Sequence, residues 1–366
     1  MKLRYKILNT VVVLLIVTVL SLMLVLSHSS ACGSSPNLTD SQESMKAIVH
    51  HCYSGPEVLA LEEIEKPVVK DDEVLVKVVN AGVNPLDWHY LRGSPYIARA
   101  MMGIGSPNAI RLGVDFSGVV ESVGDDVSNF KVGDEVFGGA NGAYAEYLVL
   151  KEGKAIVKKP SNVSFEQAAA IPIAAITALQ ALRDEGHLKA GQRVLINGAS
   201  GGVGTYAVQI AKLIGAEVSG VCSTRNVEMV KSLGADHVFD YKKVDFIESG
   251  EQFDLVLDNV GNRSLLEYTK ILKPDGILVS VGGAKGDWIG PVQNIVVAQA
   301  IAPFVDQKMI FFIAQMKGED LVTLAQFMES GKLKSVIDRR FPLENVADAI
   351  RYSETGRARG KIIIEM

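Results

Sequence analysis

With 366 residues, the chain has room for two domains with separate cores. Its net charge of −5 excludes nucleic-acid binding through a general basic surface, and a composition of 48% hydrophobic and 22% charged residues is that of an ordinary globular protein. The three cysteines, Cys32, Cys52 and Cys222, show neither metal-ligand spacing nor an evident disulfide framework.

The first 44 residues stand apart. Lys2, Arg4 and Lys6 precede an apolar run that extends 20 residues from Ile7 to Leu26, followed by the polar stretch SHSSACGSSPNLTDSQES. The pattern fits a signal peptide or a single transmembrane anchor. Ser29, Ser30 and Ala31 ahead of Cys32 resemble a bacterial lipoprotein processing site, although Ser29 stands where a leucine-like residue is usual. An uncleaved anchor with a Ser-rich linker fits equally well. A buried core helix is disfavoured, because the segment is apolar on every side. Without residues 1–44 the remaining chain carries −6, since three positive and two negative charges are removed.

From Met45 onward, short β-branched runs predict strands: MKAIVHHCY, VLALEEIEKPVV, EVLVKVVNAGV, LGVDFSGVVESVG, VGDEVFGG and AYAEYLVL. Their Gly and Asp turns suggest a β-rich barrel reaching about Pro160. SFEQAAAIPIAAITALQALRDEG then reads as helical, with Ser164, Glu166 and Gln167 in the cap region and Pro172 as a kink. Strand and helix alternate from RVLING to ILVSVGG, which predicts a doubly wound parallel sheet. The stretch NIVVAQAIAPFVDQKMIFFIAQM reads as core, dimer edge or a greasy cover for a cleft. Pro303, Asp306 and Lys308 argue against a second membrane span. The tail ends in the strand KIIIEM. The expected domains are therefore 45–165 with 308–366, and an inserted 166–307.

The most informative motif lies in RVLINGASGGVGTYAVQIAKLIG. A strand runs into Gly198, Ala199, Ser200, Gly201, Gly202, Val203 and Gly204, and a helix follows at once. Small residues permit a tight turn and close approach of a pyrophosphate, and the helix N-terminus offers free N–H groups. The next strand ends in Ser223, Thr224, Arg225 and Asn226, where an NAD site would carry a carboxylate. Hydroxyls and a guanidinium suit a 2′-phosphate, so NADP(H) is the expected cofactor.

Taken together, NAGVNPLDW, LGVDFSGVVESVG, VGDEVFG, NGASGGVG, LGADHVFDY, LDNVG and ARGKIIIE resemble the medium-chain dehydrogenase/reductase superfamily. Within it, the chain is most similar to the zinc-independent quinone oxidoreductases and their reticulon-4-interacting-protein branch. The resemblance spans about Met45 to Met366. It implies an α/β architecture, a GroES-like β-rich catalytic domain with an inserted Rossmann domain, and commonly a homodimer. Zinc-bearing relatives place a Cys ligand at the position of Asn84 and a His-Glu pair at Val114-Asp115, and they carry a four-cysteine loop that this chain lacks. Amide and isopropyl groups cannot replace thiolate and imidazole on zinc, so no metal is expected. Asn84 and Asp87 match the family's active-site pair, with Asn84 able to donate to a substrate oxygen and Asp87 to orient it or a water. The bland alternative is that both hold the loop after the strand. His89 stands where some members have tyrosine, leaving the proton donor open. Thr177 matches a position near the nicotinamide, Tyr241 one near the 2′-phosphate, and Asn259 and Gly261 the ligand edge of the sheet. Cys222 is expected to pack.

Without a Lewis acid, quinones and conjugated enones are the expected substrates, because they accept hydride at carbon. A small lipophilic carbonyl or quinone partner follows. A membrane-tethered cofactor-binding sensor with little turnover is the alternative. Membrane association is expected through the N-terminal segment or a lipid-modified Cys32. The charge bias places the folded part outside, away from NADPH, so the side of the membrane stays open.

Overall fold

The computed structural model describes residues 2–35, 43–282, 286–288 and 292–366. Linker residues 36–42 lie outside the described residues.

Two sheets dominate. The strands of the first part are β1 (Ser44–Val49), β2 (Ala60–Glu65), β3 (Glu73–Val83), β4 (Asp115–Val123), β5 (Glu135–Gly139), β6 (Tyr147–Lys151) and β7 (Ile156–Lys158). The inserted part contributes β8 (Arg193–Asn197), β9 (Glu217–Cys222), β10 (His237–Asp240), β11 (Phe253–Asp258), β12 (Leu272–Ser280) and β13 (Lys308–Phe311). The chain returns with β14 (Ile337–Pro342) and β15 (Lys361–Glu365). A seven-stranded sheet has the order β14-β15-β3-β4-β5-β7, with β6 paired to β3, and β1 and β2 form a separate hairpin. The inserted sheet runs β10-β9-β8-β11-β12-β13, all parallel. That is the doubly wound order, and its direction reverses between β8 and β11, which opens a ligand crevice at their carboxyl ends.

One boundary moves. Lys308–Phe311 pairs in parallel with Ile277–Ser280, so the sixth strand of the inserted sheet lies beyond the expected end at 307. Pro303 and Asp306 break the helix that precedes it, and the chain then extends along the open sheet edge.

The N-terminal segment forms helix α1 (Lys2–Ser27). Its described side chains, Thr10 and those from Val13 onward, are exposed until Leu26. Among the described residues no helix is long and apolar enough to cross a membrane.

Beyond α1 the chain is fastened to the catalytic part. Cys32 and Cys52 form a disulfide with Cα atoms 4.7 Å apart, a pairing not foreseen because a separation of 20 residues carries no motif. Arg99, buried in helix α3 (Arg99–Met102), donates to Leu26 O (3.2 Å), His28 O (2.8 Å) and Ser29 Oγ (3.2 Å).

Three further helices position the site. Helix α2 (Pro85–Arg92) follows β3 directly, with proline at its start and Gly93 in the left-handed region (φ 56°) closing it. Ser164 Oγ accepts from Gln167 N and caps α4 (Phe165–Ala169). Pro172 begins a separate helix, α5 (Pro172–Gln180), rather than kinking a continuous one. Ala174, Ala175 and Ala178 are buried there, and their small side chains let α5 lie close against the glycine-rich helix described next.

Candidate active site

The dinucleotide loop has the geometry its residues require. Gly198 (φ 79°) turns the chain out of β8, and helix α6 (Gly202–Ile214) starts after Gly201 with no side chain capping it. Its first-turn N–H groups therefore face the crevice with no side-chain acceptor, the arrangement that binds a pyrophosphate. Gly204 is fixed by packing. A Cβ there would lie 2.1 Å from Gly198 O and 2.7 Å from Ala199 Cα. Ala199 is buried, whereas Ser200, Gly201, Gly202 and Val203 are half-buried along the loop.

Asn259 lies across the crevice, beyond the end of β11. Its Nδ2 donates to Asn197 O (3.0 Å), while its Oδ1 is buried without a partner. An orphaned acceptor at this edge is a fit for a cofactor N–H or hydroxyl. Gly261 (φ 69°) turns the loop back, and its N–H donates to Asp258 Oδ1 (3.0 Å). Gly261 is thus a turn former.

At the far end of the loop, Thr224 and Arg225 are exposed, with Ser223 half-buried. Arg225 Nη2 donates to Arg357 O (2.7 Å), and Tyr241, 55% exposed, is bonded through its N–H to Cys222 O (3.1 Å). The four expected residues therefore do converge. A carboxylate is also present: Asp240 Oδ2 accepts from Thr224 Oγ1 (2.7 Å) and lies 3.8 Å from Lys243. Asp240 is occupied by these partners, and Arg225, exposed apart from its bond to Arg357 O, has guanidinium N–H groups left for a ligand.

The C-terminal segment had no assigned role, yet it returns to this loop. Gly360 N donates to Ser200 O (2.9 Å), and Gly360 (φ 88°) would place a Cβ 2.2 Å from Val336 O. The next residue, Lys361, carries no motif that marks it as a site residue in the sequence. Its side chain is buried, and Nζ donates to Asn84 Oδ1 (2.6 Å) and Asp115 Oδ2 (3.1 Å).

This cluster changes the role of Asn84. Its Oδ1 is taken by Lys361, and its Nδ2 donates to Asp115 Oδ2 (2.9 Å). Asp115 also accepts from Ile173 N (2.9 Å), which anchors the start of α5. The amide expected to serve a substrate oxygen is consumed in holding a buried ammonium and carboxylate together.

Asp87 is equally enclosed. Its Oδ2 accepts from Asn84 N (2.7 Å) and Tyr144 OH (2.7 Å), so it closes the first turn of α2. Burial pushes its pKa up to about 7, against the opposing pull of the Asn84 N–H and the Tyr144 hydroxyl. Burial beside Asp87 likewise raises the Tyr144 phenol well above its ordinary value.

The folded pKa of Asp87 lies above the unfolded one, so its contribution is fully present below the unfolded pKa and fades as pH rises through about 7. Relative to Asp87→Asn, the wild-type chain is expected to lose on the order of 2 kcal/mol between about pH 5 and about pH 8. Denaturant melts of both proteins across that range check it, and parallel stability profiles would refute it.

His89 Nδ1 donates to Ser94 O (2.8 Å), and the ring stacks on Trp88 at 3.6 Å between centroids. Burial lowers its pKa. A neutral ring with Nδ1–H committed leaves Nε2 as an acceptor, which does not suit it to be the proton donor. Thr177, in α5, is buried and donates to Ile173 O (2.7 Å), so only its oxygen lone pairs remain for a ligand. Cys222 is buried, and burial pushes its thiol up to about 11, which suits a packing role.

Two family models match the chain: an alcohol dehydrogenase GroES-like domain over residues 70–161 and a zinc-binding dehydrogenase over residues 233–364. The chain is 34% identical over 362 residues to a 2-methylene-furan-3-one reductase of Solanum lycopersicum, covering 95% of this chain and 86% of that protein. It is 34% identical to the chloroplastic NADPH-dependent alkenal/one oxidoreductase of Arabidopsis thaliana, covering 87% and 79%. The solved quinone oxidoreductase of Coxiella burnetii superposes with a TM-score of 0.79 at 34% identity, covering 88% of this chain and all (100%) of that one. The chain belongs to the medium-chain dehydrogenase/reductase superfamily, in its zinc-independent quinone oxidoreductase branch. The residues do not fit the metal of the zinc-bearing members. A divalent ion between Asn84 and Asp115 would meet the Lys361 ammonium that already bonds both.

Proposed function

We propose that the chain is an NADPH-dependent reductase of quinones and α,β-unsaturated carbonyls. The observation that carries this reading is an uncapped glycine-rich helix start, with Arg225 at its adenosine end and, instead of a metal site, a buried Lys361–Asp115 ion pair braced by Asn84. When bound, NADPH supplies hydride to an electron-poor carbon. Ser200–Gly204 would hold its pyrophosphate, Ser223, Thr224, Arg225 and Tyr241 its 2′-phosphate, and Asn259 Oδ1 would accept one of its donors.

The Lys361 ammonium is neutralised by Asp115 and bonded by Asn84 rather than offered to a substrate oxygen. Asn84 and Asp115 fix that ammonium in place, so their role in this proposal is positioning. Asp87, enclosed with Tyr144, holds the turn that carries Asn84, so its role is positioning as well. The relatives named above, a reductase and two oxidoreductases, support turnover over a sensor role.

The cofactor claim is tested on Arg225→Ala. Loss of one charge-assisted contact to a phosphate is expected to weaken NADPH by about 10- to 100-fold and leave NADH nearly unchanged. Equal losses, measured by fluorescence titration, would refute it. The full chain should also oxidise NADPH with a quinone and enal panel.

Two finer readings belong to the same proposal. First, α1 is a membrane anchor: exposure of apolar side chains from Val13 to Val25 favours it. The Cys32–Cys52 disulfide takes up the thiol that lipid modification would need, and together with Lys2, Arg4 and Lys6 it favours the oxidising face for the folded part. Second, β13 is an open edge strand with Phe304 and Ile313 exposed near it, which supports self-association into a homodimer.

A further inference from the structure

The segment that leaves α2 carries an apolar surface the reaction does not use. Ile97, Met101 and Ile104 are 48%, 87% and 57% exposed on a short stretch of 3-10 turn, helix α3 and loop. No acidic residue occurs between Gly93 and Val114. The inner side of the same stretch is tightly held: Arg99 Nε donates to Gly93 O (2.8 Å), and its guanidinium lies over the rings of Tyr53 (4.4 Å) and Tyr96 (4.5 Å). Tyr53 OH donates to Gly103 O (2.8 Å). The exposed apolar residues are thus displayed by a fixed frame.

Two contacts define where this surface points. Arg99 reaches the carbonyls of Leu26 and His28, and Ser30 N donates to Gly105 O (2.7 Å), so the patch borders the place where α1 ends. On its other side, Tyr96 N donates to Asp287 O (2.6 Å), and the Tyr96 ring meets Trp288 edge-on at 5.0 Å. The segment therefore joins the end of α1 to the loop beyond β12, on the crevice side of the inserted domain.

We propose that Ile97, Met101 and Ile104 form a membrane-seating surface that dips into the headgroup–acyl boundary beside α1 and lets the crevice take lipophilic quinones or enals from the bilayer. Three exposed apolar side chains on a rigid frame, next to an apolar helix and with no carboxylate in their own stretch, match an interfacial contact with lipid, the nearby Asp287 carboxylate being held by Ser94 Oγ (3.4 Å). The inference rests on α1 being an anchor, and the test separates the two.

The full chain is reconstituted in vesicles of phosphatidylcholine with a minority of phosphatidylglycerol, some lipids carrying bromine on the upper acyl carbons. Tryptophan is introduced singly by Met101→Trp or Leu20→Trp, and quenching is read as the difference from the wild-type chain. Quenching of both is expected. Quenching of the Leu20→Trp protein alone would overturn the seating surface and leave the anchor standing, and quenching of neither would overturn both. In the same vesicles, the combined substitution Ile97→Ser, Met101→Ser and Ile104→Ser is expected to cut turnover of a long-tailed, membrane-held quinone by roughly tenfold and spare a short soluble one. Equal effects on the two would overturn delivery from the bilayer.

Discussion

Replacing Lys361 by methionine is expected to destabilise the chain by about 3–5 kcal/mol and to reduce turnover, although neither Asn84 nor Asp115 is altered. The side chain is 2% exposed and its Nζ is shared between Asn84 Oδ1 and Asp115 Oδ2. Methionine fills the space but removes the charge, which leaves the Asp115 carboxylate buried with only the Asn84 amide and the Ile173 N–H as donors. The second substitution Asp115→Asn in that background should restore part of the stability, because it removes the uncompensated charge. Chemical denaturation of the two single variants and the double variant measures the coupling. A double variant as unstable as the sum of the singles would show that the pair does not act as a unit.

Gly204→Ala should have a comparably large effect from a single methyl group. Its Cβ would stand 2.1 Å from Gly198 O, so β8 and the start of α6 must separate. Overpacking of this kind costs about 1–3 kcal/mol. The moved loop no longer presents its N–H groups together, and NADPH affinity is expected to fall by about 100-fold, the equivalent of about 2.7 kcal/mol. Gly201→Ala is the internal comparison for stability, since the nearest atom to its Cβ is Gly198 O at 3.5 Å, an ordinary contact. Thermal melts and cofactor titration separate the two. A Gly204→Ala protein with wild-type affinity would refute the close-packing argument.

These two residues also mark what could be read without coordinates. Gly204 was accessible because its constraint is local: strand, turn and helix follow one another within one motif, and backbone sterics dictate glycine. The strand alternation and the doubly wound pattern were accessible for the same reason. Lys361 was not, because its partners lie 277 and 246 residues away in sequence and a lysine opening a terminal strand normally faces solvent. The sequence marks Asn84 by its motif but not by its bonding, since nothing nearby announces that its amide is held on both sides. The Cys32–Cys52 bond is another long-range closure, invisible until Arg99 draws the end of α1 onto the catalytic part.

The ammonium at Lys361 also bears on how such a site could be re-engineered. Zinc-bearing members of the superfamily use the positions of Asn84 and Val114-Asp115 as ligands, so restoring thiolate and imidazole there looks like a short route to a metalloenzyme. In this chain the route is blocked by like-charge exclusion. Lys361 Nζ already sits within 2.6 Å of Asn84 Oδ1 and 3.1 Å of Asp115 Oδ2, and a divalent ion at the same spot would face a fixed positive neighbour. Ligand substitutions alone would then yield an empty and strained pocket, while removal of the lysine alone strands a buried carboxylate. The metal-free and metal-bearing chemistries are therefore separated by an intermediate that is poor at both, so a design that converts one into the other must change the terminal strand and the two ligand positions together.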